Sequence, residues 1–177
     1  MKKVLMASLP LLLIVGVFAL PAVADESLAK FKGGIGVIPV SSGQGTDPTA
    51  TTVNRNIVRG VQPAGQIWVI RKLEAEVTAH GDIKVEGEGL VLGGGNNVGR
   101  ATGQSVFATL ICGATAPFTE HSSTPTGVPL DPNGNFTIDD VLSPAPSDPC
   151  TSPVLLIRNA TGSNWFAAGI LKSDDSD

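Results

Sequence analysis

The sequence predicts an all-β fold: an antiparallel β-sandwich of about eight strands, with a small β-barrel as the alternative, and one disulfide. Three observations carry this. Glycine and proline, 21 and 13 residues respectively, punctuate nearly everything after position 32. The apolar runs between them are short and rich in valine and isoleucine, the pattern of many short strands separated by turns. Where the runs lengthen, apolar and polar residues alternate with period two. Strands are expected at 36–40, 56–61, 66–78, 82–92, 105–112, 128–130, 135–142, 154–159 and 165–171.

The chain opens with Lys2 and Lys3, an apolar run over 4–20, and small residues at Ala22 and Ala24. These are the parts of a secretory signal peptide cut after Ala24. The rival, an uncleaved anchor, is disfavoured because the run is short for a span and contains Pro10 and Gly16. No later stretch is apolar enough to cross a bilayer. The short basic start looks bacterial, which places the product in the periplasm or outside. Removing 24 of 177 residues leaves 153, one β-rich domain over 25–172 and an acidic tail over 173–177.

Segment 66–78 tests the choice between strand and helix. Ile70, Leu73 and Val77 fall at helical spacing, but Leu73, Ala75 and Val77 also alternate with Lys72, Glu74, Glu76 and Thr78. Ile83 and Val85 alternate with Lys84 and Glu86 just beyond. A hairpin around Ala79, His80 and Gly81, with Gly81 left-handed, sets Val77 against Ile83, Ala75 against Val85 and Leu73 against Gly87. The same register sets Glu76 against Lys84 and Lys72 against Glu88; a slip of one residue would mix the faces.

Asp131-Pro132-Asn133-Gly134 reads as a type I turn. It is expected to pair Leu130 with Phe136 and Val128 with Ile138. The oxygen-bearing side chains of Asp131, Asn133, Asn135 and Asp139 also suggest a calcium loop. An EF-hand starting at Asp131 would need glycine where Phe136 stands and glutamate where Leu142 stands. A looser surface calcium site between Asp131 and Asp140 stays open. Small polar residues mark long connections at 41–52, 120–127 and 143–149.

Cys112 and Cys150 are the only cysteines. In an oxidising compartment an isolated pair forms a disulfide. Redox or metal use would want closer spacing.

Residues that could carry chemistry are few. Gly93-Gly94-Gly95-Asn96-Asn97-Val98-Gly99-Arg100 fails the phosphate-loop pattern at Arg100 and Ala101, and the dinucleotide pattern at Val98. Ser105 lacks the second glycine of a nucleophile elbow. His80 and His121 are read as exposed loop histidines. Glu120-His121 alone is a weak zinc pair. The sequons at Asn135 and Asn159 are read as chance. After leader removal ten basic residues face sixteen acidic ones, which disfavours nucleic acid. The residues ask for no cofactor and no metal.

The leading functional expectation is an exported, non-catalytic interaction or structural module of the bacterial envelope or exterior, with an unknown protein or glycan partner. The second is a ligand-binding module for a glycan or small apolar molecule, with Trp165, Trp68 and His121 as its surface. Against that stands the plainer reading of the tryptophans as core. The third is an enzyme using His121 with Asp139 or Asp140.

Overall fold

The computed structural model describes residues 26–44 and 52–172. The expected leader and acidic tail lie outside them. The described residues form thirteen strands and no helix: β1 (Ser27–Gly36), β2 (Val40–Gln44), β3 (Thr52–Arg55), β4 (Trp68–Val69), β5 (Lys72–Thr78), β6 (Asp82–Glu88), β7 (Val91–Leu92), β8 (Ser105–Cys112), β9 (Thr119–Ser122), β10 (Val128–Pro129), β11 (Phe136–Val141), β12 (Val154–Asn159) and β13 (Trp165–Leu171).

Nine of them make one antiparallel sheet, in the order β10–β8–β12–β13–β1–β5–β6–β11, with β9 also on β8. The ends of this sheet approach each other. Ser122 N donates to Ser143 O at 3.1 Å, and Ser143 N donates to Ser122 O at 2.8 Å. The sheet is therefore a nearly closed barrel, the alternative architecture expected from the sequence. β2–β3 and β4–β7 form two separate two-stranded ribbons.

The β5–β6 hairpin has the register expected from its alternation. Val77 faces Ile83, Ala75 faces Val85, Leu73 faces Gly87, and Glu76 faces Lys84. Gly81 has φ +94°, the left-handed conformation its turn requires. On the inward face Leu73, Val77, Ile83 and Val85 are fully buried. The outward face carries a row of alternating charge across four strands. Lys30 stands opposite Glu76, Glu76 opposite Lys84, and Lys84 opposite Asp139.

Three expected features form differently. The Asp131 turn exists: Gly134 N donates to Asp131 O, and Asp131 N to Asn135 O. The flanking strands nevertheless do not pair with each other. β10 pairs with β8, Val128 opposite Val106, while β11 pairs with β6, Phe136 opposite Gly87 and Ile138 opposite Val85. An apolar face is satisfied equally well by a distant neighbour, and here the distant neighbours win. Segment 56–61 is not a strand of the sheet; Val58 and Val61 only bridge each other around Gly60. The expected loop at 120–127 begins inside β9 instead.

The core gathers Phe31, Val37, Leu90, Val106, Leu110, Leu155, Ile157, Phe166 and their neighbours into one cluster. Each fully buried leucine or isoleucine contributes about 1.5–3 kcal/mol. From Val106 onward β8 is buried on both faces; near its end Arg59, lying over Phe118, donates to Ile111 O.

Candidate interaction surface

The structure joins Cys112 to Cys150, with Cα atoms 5.1 Å apart. Two noncovalent ties flank the bridge. Gly113 N donates to Thr151 O at 2.8 Å. Arg59 donates to Ile111 O at 2.7 Å and to Ser152 O at 2.6 Å, while its guanidinium lies over Phe118. Burial alone lowers the Arg59 pKa from its ordinary value.

The three residues expected at an exposed ligand surface are interior. Trp68 and Trp165 are 4 % and 3 % exposed. Trp68 stacks on Phe166 with ring centroids 4.0 Å apart, and Trp165 Nε1 donates to Asn56 O at 3.0 Å. Both belong to the hydrophobic core. His121 is 3 % exposed, not a loop residue. It lies in β9 opposite Leu110, so both side chains share a face. Its Nδ1 is 2.8 Å from Pro144 O, and its buried Nε2 finds no hydrogen-bond partner among the described residues.

The carboxylates proposed to work with His121 are engaged elsewhere. Asp139 pairs with Lys84 at 3.9 Å. Asp140 Oδ2 accepts from Thr124 N at 2.7 Å and Oδ1 from Val141 N at 2.8 Å, and neither bond involves His121. Asp131, first residue of the calcium-like loop, spends its oxygens on its own turn. Oδ1 accepts from Asn133 N and Asn135 N, and Oδ2 from Asn135 Nδ2, all at 2.8 Å. Among the described residues no group of three or more His, Cys, Asp or Glu could hold a metal ion.

These hydrogen bonds favour the ionised form of both aspartates. The Asn135 main-chain N–H holds the Asp131 carboxyl below its usual value, and the Thr124 main-chain N–H does the same for Asp140. A carboxylate depressed in the folded state stabilises that state above its unfolded pKa and loses the effect as pH falls through the folded one. The denaturation midpoint is therefore expected to hold from neutral pH down to about 4 and to fall below it. Asp140→Asn should make that acid limb shallower, as followed by fluorescence of the buried tryptophans; an unchanged limb counts against the assignment.

What the sequence reading missed is a segregation of charge. Residues 89–119 and 149–172 contain no Asp or Glu, and 27–73 contain only Asp47, which lies outside the described residues. A count of carboxylates along the chain would have found it. The same segments supply nearly all the exposed large aliphatics. Ile35, Ile38, Ile67, Val69 and Ile170 are each 41–58 % exposed; Val141, on the acidic side, is the main exception.

The fold makes these residues neighbours. Trp68 N donates to Val37 O, which draws β4 alongside the end of β1. A methyl group at Gly36 would stand 2.7 Å from Val69 Cα, one at Gly93 would stand 2.8 Å from Ile67 Cγ2, and one at Gly33 would stand 3.2 Å from Ile170 Cδ1. Cations border the face. Arg55 pairs in register with Val40, and Arg100 O accepts from Leu92 N beside β4; Lys172 instead lines a groove with Lys30, Glu74 and Glu76. Arg71, bound to Glu88 at 2.7 Å, marks its limit. An exposed aliphatic cluster rimmed by polar groups marks contact with another surface. Comparison with family models, with curated proteins and with solved structures finds no match to this chain.

Proposed function

We propose that the chain is an exported, non-catalytic interaction module of the bacterial envelope or exterior, acting through its acid-poor face. The single observation that carries the reading is the exposed aliphatic cluster around Ile35, Ile67 and Val69. The leader-like first 24 residues and the disulfide support an oxidising destination. The interior position of Trp68, Trp165 and His121 favours this reading over a glycan or small-molecule binder.

The test uses a photoreactive residue at position 35 or 67, with position 86 on the charged side as control, in cells that export the chain. Discrete adducts from 35 and 67 and none from 86 are expected. Equal labelling at all three positions, or none at any, overturns the reading.

A further inference from the structure

We propose that Asn133 is a site of spontaneous deamidation whose rate is governed by the Asp131 turn. Asn133-Gly134 is the one Asn-Gly pair in the chain; every other asparagine precedes Arg, Ile, Asn, Val, Phe, Ala or Trp. Deamidation begins when the main-chain nitrogen of the next residue reaches the side-chain amide carbon. Glycine, having no Cβ, leaves that approach open. Asn133 is exposed and meets water, while Gly134 beside it is buried.

The reaction needs only water and hydroxide. Hydroxide takes the proton from Gly134 N, and that nitrogen bonds to Asn133 Cγ. The Cγ–Nδ2 bond breaks, and Nδ2 takes a proton from water and leaves as ammonia, which returns the hydroxide. A second water opens the cyclic imide. Cleavage between Gly134 N and Cγ gives aspartate. Cleavage between Gly134 N and the Asn133 main-chain carbonyl carbon gives isoaspartate, whose main chain runs through Cβ and Cγ and is one atom longer.

The folded turn holds the first step back. Gly134 N donates to Asp131 O, and Gly134 O accepts from Leu90 N, both at 2.9 Å. A Cβ at Gly134 would collide with Leu90 O, so this segment lies against the neighbouring main chain with no room to swing. Asp131 Oδ1 holds the main-chain nitrogens of Asn133 and Asn135, each at 2.8 Å. Gly134 N attacks only when these bonds open, so the rate scales with the fraction of open turns. Isoaspartate then prevents reclosure, because the extra atom does not fit between Asp131 and Leu90. A transient opening becomes a permanent change beside Phe136.

The experiment takes the chain from Asp25 onward, which contains every contact described above. It is incubated at mildly alkaline pH, folded and in denaturant, and each asparagine is followed by peptide mass. Isoaspartate is identified with its carboxyl methyltransferase. In denaturant position 133 should change first; any other asparagine ahead of it removes the site. The folded chain should react at least about tenfold more slowly, and Asp131→Ala, which deletes three hydrogen bonds to an ionised group, should recover about tenfold. Equal rates in folded and denatured chain, or no effect of Asp131→Ala in a variant with a preserved far-ultraviolet spectrum, overturns the control by the turn. Should that variant not fold, hydrogen exchange in the unaltered chain decides. Gly134 N–H should be protected by the same factor as Asn133, and exchange there at the unfolded rate overturns the proposal.

Discussion

Cys112→Ala/Cys150→Ala is expected to lower the free energy of unfolding by about 4 kcal/mol, from the closure entropy of a loop spanning 38 peptide units. Alanine is the right replacement because both cysteines are buried, and serine would add two interior hydroxyls. The native geometry should survive. Gly113 N still reaches Thr151 O, and Arg59 still grips Ile111 O and Ser152 O on either side of the missing bridge. The loss then resides in the unfolded chain, which expands when the loop is released. Guanidinium titration should show a lower midpoint with a steeper dependence on denaturant. An unchanged midpoint would mean that the bridge constrains nothing the chain does not already constrain.

The second large effect lies where β11 crosses β6. Phe136 stands opposite Gly87, and its ring occupies the space a side chain at position 87 would fill. An aromatic ring laid over a cross-strand glycine restores the apolar contact the glycine lacks. Phe136→Ala is expected to cost about 3–5 kcal/mol. Gly87→Ala should cost about 1–3 kcal/mol, because a methyl group there collides with the ring. The two changes should not add: once the ring is gone the methyl has room, and Gly87→Ala becomes milder in the Phe136→Ala background. Strict additivity in a double-mutant cycle would remove the ring from that site.

The contrast between β6 and β10 shows what the sequence made legible. The β5–β6 register followed from alternation on both strands and one glycine at the turn, all within 17 consecutive positions, 72–88. β8, β12 and β13 were also found at their observed bounds. The pairing of β11 was misread because alternation says which face is buried but not which strand lies alongside. Strand 66–78 breaks where Arg71 N turns to Glu88 O, and strand 82–92 breaks at left-handed Gly89. β1 escaped notice because Gly33 and Gly34 interrupt an otherwise clear alternation of Ala29 and Phe31 with Lys30 and Lys32. β9 was hidden by Ser122 and Ser123, whose polarity suggests a loop. Each hydroxyl oxygen is in fact satisfied, by Thr109 Oγ1 at 2.9 Å and by Ala108 N at 3.0 Å. The candidate surface was harder to see because it is defined by missing carboxylates rather than by a motif.

β13 lies between β12 and β1. The first strand and the last complete each other, Ile35 opposite Ala168 and Gly36 opposite Ala167. During synthesis no prefix of the chain can finish the sheet, and a product cut before Trp165 carries two long open edges that invite pairing with other chains. Completion of the sheet waits for β13, and with contacts this distant along the chain folding should be slow.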